Sequence, residues 1–264
     1  MVHRVCYHVG ILSQAWTKFQ EGATTTFVML DAKERFLIGL VLGDGNLYRR
    51  HKWENVTSIK LAHSPKEYDW LCWKVEKASS ILGSTAKVNK VLNRGELKAY
   101  QWCAGFSSFV HLYYLMYKNE KKVFRKEVLS QLGLQELAIF WCDDGCIVKN
   151  LRIKIDPRTQ KQYPNPLQET VGNLAVYEDF STTSEISYWI ESLTGAKASV
   201  KYHRKTNLYY LLFNKKAATA LCNAISPYVP NCMLHKIDLS RIPVEKRALI
   251  LKERAIRRQE CAAT

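Results

Sequence analysis

Two stretches of the chain are almost wholly apolar, and each ends in an acidic residue followed by glycine. The first is Leu37-Ile38-Gly39-Leu40-Val41-Leu42-Gly43-Asp44-Gly45, the second Leu137-Ala138-Ile139-Phe140-Trp141-Cys142-Asp143-Asp144-Gly145. Asp44 and Asp144 stand 100 positions apart. Runs of this kind predict two buried helices. Their repetition predicts two similar half-domains, each delivering one carboxylate to a shared place.

The pattern after each run repeats as well. After the first, a hairpin is expected over Asn46–Lys52 and Val56–His63, where Ile59, Leu61 and His63 alternate with Lys60 and Ala62, the period of a half-buried strand. Ser64-Pro65-Lys66-Glu67 reads as a capping box opening a helix that ends at Gly83. Strands near Ala86–Leu92 and Leu97–Ala104 turn at Asn93–Glu96, and a helix near Ser107–Tyr117 follows. In the second half, strands are expected at Ile147–Ile155 and Asn173–Phe180, separated by a polar, proline-bearing loop over Asp156–Gly172. Thr182-Thr183-Ser184-Glu185 reads as a second capping box, opening a helix to Gly195. Strands near Ala198–His203 and Tyr209–Phe213 and a helix near Lys216–Ile225 complete it. Each half thus reads αββαββα, an α+β fold. The organisation expected is an N-terminal extension (1–33), a first half-domain (34–125), a linker (126–134), a second half-domain (135–240) and a basic C-terminal helix (241–264, with Val244–Gln259 helical).

Charge narrows the choice of partner. Lys and Arg number 39 against 24 Asp and Glu, a formal net charge of +15. That excess favours a polyanion, because basic side chains release the counterions condensed on phosphates. The 8 cysteines are scattered with no Cys-x-x-Cys pair and no histidine pair at zinc spacing, which reads as free thiols in a reducing, intracellular compartment. No apolar stretch approaches the roughly 20 residues needed to span a bilayer, so no membrane role is expected.

Chemistry follows from the carboxylates. Gly39 and Gly43 lie on one helical face, where small residues let two helices approach closely. Side by side, the helices bring Asp44 and Asp144 together at ends whose carbonyls are free and which carry partial negative charge. Two carboxylates there repel unless divalent cations bind between them, and Mg²⁺ prefers such oxygen ligands while keeping waters that can attack phosphorus. The second run departs from the first, with Ile139 and Asp143 where Gly39 and Gly43 stand.

The paired motifs, the repeated strand order and the downstream lysines resemble the single-chain, two-motif LAGLIDADG homing endonucleases, over roughly residues 34–240. The nearest likeness is to the subgroup typified by the yeast mitochondrial omega-intron enzyme, whose second motif also ends Asp-Asp-Gly. The resemblance implies paired motif helices at a pseudo-symmetric interface, with saddle-shaped antiparallel sheets facing DNA. It implies Asp44 and Asp144 as metal ligands, with the backbone of Gly43 and Asp143 beside them, and Mg²⁺ as cofactor, Ca²⁺ or Mn²⁺ substituting in binding. It also implies catalytic lysines near each scissile phosphate, matched here by Lys122 (with Lys121 as competitor) and Lys236. The expected activity is cutting both strands of a long asymmetric site by a monomer, leaving 3′ overhangs and promoting intron mobility, in an organelle or in a phage or archaeal genome.

DNA contacts are expected from the sheets. In half one the candidates are Arg49, Arg50, Lys52, Lys60, Lys87, Lys90, Arg94, Lys98 and Gln101. In half two they are Lys149, Arg152, Lys154, Lys197, Lys201, His203, Arg204 and Lys205. Two other activities suit the same scaffold: an RNA-binding maturase acting on its host intron, and a catalytically silent DNA-binding regulator. Retention of both aspartates favours the nuclease over the maturase, since splicing assistance does not need them, while the regulator would bind duplex tightly with no metal-dependent product. An intein is not expected, because the sequence lacks a nucleophilic first residue and a terminal His-Asn.

Overall fold

The computed structural model describes residues 29–49, 56–152 and 167–237, without the side chains of 149–152 and 167–169. The elements below belong to the compact unit that begins at Asp31. Helix α1 (Ala32–Leu42) opens on a capping box. Asp31 Oδ1 accepts from the Glu34 N–H at 2.8 Å, and Glu34 Oε2 accepts from the Asp31 N–H at 2.8 Å. β1 (Asn46–Tyr48), β2 (Thr57–His63), α2 (Tyr68–Leu82), β3 (Asn89–Asn93), β4 (Glu96–Phe106) and α3 (Val110–Met116) complete the first half. A small hairpin, β5 (Tyr117–Lys118) and β6 (Lys121–Lys122), and a short helix α4 (Lys126–Leu129) lead into the second. There the order recurs as α5 (Leu134–Asp144), β7 (Gly145–Arg152), β8 (Leu167–Glu178), α6 (Phe180–Thr194), β9 (Ser199–His203), β10 (Leu208–Phe213) and α7 (Lys215–Ile225).

Both four-stranded sheets are antiparallel with the same topology, β1-β2-β4-β3 and β7-β8-β10-β9. Helix α2 covers β2 and β4, while α6 and α7 cover β8 and β10. Ile59, Leu61 and Trp102 face inward in one sheet and Leu174, Leu211 and Phe213 in the other, all buried. Each such side chain contributes about 1.5–3 kcal/mol through apolar burial. α2 and α6 both end at a glycine in the left-handed region, Gly83 (φ 60°) and Gly195 (φ 67°), as the sequence predicts.

Helices α1 and α5 pack against each other between the two sheets. A Cβ built on Gly39 would stand 3.1–3.2 Å from Glu136, and one built on Gly43 would stand 2.5 Å from Asp143 Cβ. The glycines of α1 therefore admit the backbone of α5 and two acidic side chains, instead of meeting small residues on the partner. Glu136 is held there because its Oε2 accepts from the Gly133 N–H at 2.7 Å, fixing the first turn of α5.

Several local expectations are corrected. Neither capping box forms as read from sequence. Ser64 starts a 3-10 turn over Pro65–Glu67 without capping it through its side chain, and Glu67 turns toward His63 instead. In half two the cap is Asp179, whose Oδ1 accepts from the Thr182 N–H at 2.9 Å, so α6 starts at Phe180 and β8 ends at Glu178. A carboxylate out-competes the hydroxyl three residues later as acceptor at a helix N-terminus. β8 also begins at Leu167, inside the segment expected as loop. β3 starts later than expected, at Asn89. Residues 1–28 of the expected N-terminal extension and the C-terminal helix Val244–Gln259 lie outside the described residues, and the last two residues of the expected extension, Ala32 and Lys33, already belong to α1. Among the described residues no disulfide is formed, and no helix is long and apolar enough to cross a membrane.

Candidate metal centre

Asp44 follows the end of α1 and Asp144 closes α5, so the packing of these two helices carries both carboxylates to one place. The side chain of Asp44 is 46% exposed, open to an incoming ion. Burial, then the charge of Asp143, pushes the Asp44 carboxyl above its usual value, against the pull of Lys74 and His63. Burial, then the charges of Asp44 and Asp143, pushes Asp144 to about 7, against Lys122 and Lys236. Crowded oxygen donors whose ionisation is resisted mainly by burial and by one another fit a hard divalent cation, which would relieve the repulsion.

The two lysines stand in matching positions. Lys122, on β6, donates from Nζ to the Gly43 carbonyl at 2.7 Å. Lys236 donates from Nζ to the Asp143 carbonyl at 3.4 Å and to the Gly145 carbonyl at 3.2 Å. Gly43 and Asp143 each precede the motif aspartate, so each lysine reaches the end of the motif helix in its own half. Local structure fixes both. The β5–β6 hairpin turns Lys122 inward and leaves Lys121 exposed, and Trp141 Nε1 donates to the Lys236 carbonyl at 2.9 Å. Burial lowers the Lys122 ammonium, opposed first by Asp144 and then by Asp44. An amine held beside carboxylates at the end of the motif helix is suited to ordering water or meeting charge on phosphate.

Asp143 is expected from sequence for its backbone alone, whereas its side chain gathers Trp70, Lys74 and His63, which the sequence reading does not place in the site. The carboxylate of Asp143, fully buried, crosses from α5 into the first half. Its oxygens accept from Lys74 Nζ at 2.8 and 3.1 Å, from Trp70 Nε1 at 2.6 Å and from the Asp44 N–H at 3.1 Å. Lys74 is itself fully buried. Asp143 thus pins the backbone of Asp44 while its own charge is neutralised by Lys74. The signal was present in sequence: Trp70, Lys74 and Ala78 recur every four residues on the buried stripe of α2, where a lysine needs a partner. His63 closes β2 beside this pair, 3.6 Å from Asp44 Oδ2, 3.5 Å from Glu67 Oε2 and 3.9 Å from Asp143 Oδ1. Burial, then Lys74, lowers its pKa, against the charges of Asp143, Asp44 and Glu67. Asp44, His63 and Asp143 are grouped closely enough to suggest a common ion. Lys74 argues against Asp143 as a ligand, because Asp143 Oδ1 already accepts from the buried Lys74 ammonium at 2.8 Å, and a cation there would be repelled by it.

The sheet candidates divide by face. Lys60 pairs with Asn46 and Cys103, and Gln101 pairs with Ala62 and Asn89, so these residues share the face opposite the buried one. Lys90 and Lys98 share the face of Tyr100, whose ring packs on Tyr68 at 4.4 Å, and Lys98 pairs with Glu96 at 2.8 Å. Arg49 lies over the Tyr114 ring of α3 and donates to its hydroxyl. Lys87 and Lys197 are exposed ahead of β3 and β9, and Arg94 (φ 51°) sits at the β3–β4 turn. In half two, Lys201 and His203 share the open face with Tyr210, the His203 ring 5.3 Å from Tyr177. Arg204 and Lys205 are exposed in the β9–β10 turn. Lys149 and Arg152 lie on β7, their side chains undescribed, and Arg50, Lys52 and Lys154 fall outside the described residues.

Known proteins resemble this chain. The profile of the LAGLIDADG DNA endonuclease family matches residues 34–221. The RecA protein of Mycolicibacterium flavescens is 23% identical over 222 residues, covering 81% of this chain and 48% of that protein. The RecA protein of Mycobacterium shimoidei is 23% identical over 229 residues, with the same two shares, 81% and 48%. The chain therefore spans about half the length of the curated relatives it matches. Among solved structures, the homing endonuclease I-WcaI bound to its DNA recognition sequence has a TM-score of 0.58 at 18% identity, covering 84% of this chain and 92% of that one. That likeness is one of fold.

Proposed function

Because the chain belongs to the LAGLIDADG DNA endonuclease family, we propose that it is a site-specific, Mg²⁺-dependent endonuclease that hydrolyses both strands of a long duplex site. The observation that carries the reading is the meeting of Asp44 and Asp144 at the ends of two packed helices, with Lys122 and Lys236 donating to the carbonyls beside them. Asp44 and Asp144 hold the cations, and the carbonyls of Gly43 and Asp143 lie next to them. When bound, Mg²⁺ supplies a Lewis acid at the phosphate and lowers the pKa of its waters. Lys122 and Lys236 orient water and stabilise charge on the phosphate oxygens. Lys60, Gln101, Lys201 and His203 on the open faces, with Arg94, Arg204 and Lys205 at the strand tips, follow the grooves and backbone. The halves differ in sequence, so the site is asymmetric and a single chain suffices. Cleavage leaving 3′ overhangs and service to intron mobility complete the reading.

The test is incubation with a large randomised duplex-DNA library, with Mg²⁺ and in parallel with Ca²⁺, followed by sequencing of cleaved molecules. One long asymmetric motif cut on both strands only with Mg²⁺ is the expected result. Bound but uncut DNA in both metals would replace the nuclease with a regulator. Absence of sequence-specific DNA binding would turn the assignment toward intron RNA.

A further inference from the structure

The two halves end their second strand differently. His63 closes β2 and Glu178 closes β8, and the residues pair with Tyr100 and Tyr209 at matching places of β4 and β10. The correspondence survives a bulge in β8, where Tyr177 (φ 50°) sits just before Glu178. One half therefore offers an imidazole beside its motif aspartate, and the other has a carboxylate at the corresponding strand position.

The His63 side chain is 2% exposed, and acceptors face both ring nitrogens. A ring that ligates an ion through Nδ1 keeps its proton on Nε2. Nε2 has no hydrogen-bond partner and faces Asp143 Oδ1 at 3.9 Å. With the proton on Nε2, on the side of that negative oxygen, the Nδ1 lone pair faces Asp44 Oδ2 at 3.6 Å and Glu67 Oε2 at 3.5 Å. Lone pairs on three atoms then converge on the side where Asp44 is 46% and Glu67 35% exposed, with no proton of the ring between them. Such a set is repulsive alone and cohesive around a cation. Two donors 3.6 Å apart can both reach one ion at roughly 2.1–2.2 Å, opening an angle near the tetrahedral value. Asp143 is not a third ligand, since both of its oxygens hold Lys74.

We propose that the divalent cation at Asp44 takes His63 Nδ1 as a direct ligand, with Glu67 accepting from one of its waters, so that half one has a mixed nitrogen and oxygen site and half two an oxygen site. This rests on the carboxylate-metal reading given above. Imidazole suits borderline ions better than Mg²⁺, so the half-one site prefers Mn²⁺ or Co²⁺ more strongly than its counterpart at Asp144.

The test is pulsed electron paramagnetic resonance of the protein loaded with one equivalent of Mn²⁺. Expected are ¹⁴N modulations of a directly bound imidazole, which change to the ¹⁵N pattern when only histidine is ¹⁵N-labelled, an experiment that alters no residue. His63→Gln, checked for folding by circular dichroism, loses the modulations and binds Mn²⁺ roughly 10–100-fold more weakly. Mn²⁺ binding that depends on Asp44 but shows no nitrogen modulation overturns the imidazole ligand and leaves the carboxylate site intact. Modulations that persist in His63→Gln assign the nitrogen elsewhere and overturn it too. No Mn²⁺ binding at all overturns both readings.

Discussion

Gly43 and Asp143 hold equivalent positions, each just before a motif aspartate, yet one has no side chain and the other has the most heavily bonded carboxylate of the described site. The difference is a matter of space and charge. The helices approach so closely at this level that a Cβ on Gly43 would fall 2.5 Å from that of Asp143. Only one half can place a side chain there. Having one, α5 sends it across the interface to Lys74 and Trp70, and the Asp44 N–H donates to it as well. A duplicated scaffold thus keeps its two functional carboxylates by making their neighbours unlike, and the halves are tied together by a contact that a symmetric dimer would not accommodate twice.

The largest expected effect comes from breaking that tie. Lys74→Met leaves a buried carboxylate without its counter-ion and costs about 3–5 kcal/mol in urea unfolding. Replacing Asp143 by Leu in the same chain recovers much of the loss, because the unpaired charge is gone. A Lys74→Met protein as stable as its parent would mean that the pair does not hold the halves. Gly43→Ala comes next, at about 1–3 kcal/mol from overpacking. Gly39→Ala costs less, since its Cβ meets Glu136 at 3.1–3.2 Å and can be met by small shifts. Equal costs would show that the helices do not approach more closely at their functional ends.

The pH dependence separates the two carboxylates from ordinary surface acids. Asp144 titrates at about 7 in the fold against a usual 3.8. Its folded value is raised, so the protonated form contributes stability that is fully present below a pH of about 4 and is lost as pH rises through about 7. Bound Mg²⁺ competes with that proton. Calorimetry should find affinity increasing between about pH 6 and 8 with proton release on binding, and Asp144→Asn should remove the release. A flat profile would mean that Asp144 does not meet the ion.

The smallest effect compares the faces of one sheet. Lys60→Ala should lower the slope of log affinity against log salt by about one, while Lys98→Ala, on the other face and paired with Glu96, should leave it unchanged. A reversed order would exchange the faces.

The motif helices, the strand order of both sheets and the glycines ending α2 and α6 were all legible in the sequence. Apolar periodicity and glycine placement are local signals, and local structure obeyed them. The capping boxes were misread because hydroxyl and carboxylate candidates compete within three residues, and only the fold reveals which N–H groups are free. The inward turn of Lys122 was legible only by likeness, since nothing local separates it from Lys121. Lys74 and His63 were missed for another reason. Each is a polar residue on a buried stripe that meets Asp143, a residue on an element distant in sequence. Asp143 stands 69 residues from Lys74 and 99 from Asp44, so no local pattern links them.

The most direct test of the central claim is to measure DNA binding and cleavage of the selected target by Asp44→Asn and Asp144→Asn side by side with the parent chain. Two shared carboxylates at one metal centre predict that either substitution lowers double-strand cleavage by roughly 1,000-fold, several kcal/mol of transition-state stabilisation, while affinity for the duplex is largely kept. Full cleavage by either variant would contradict the pairing.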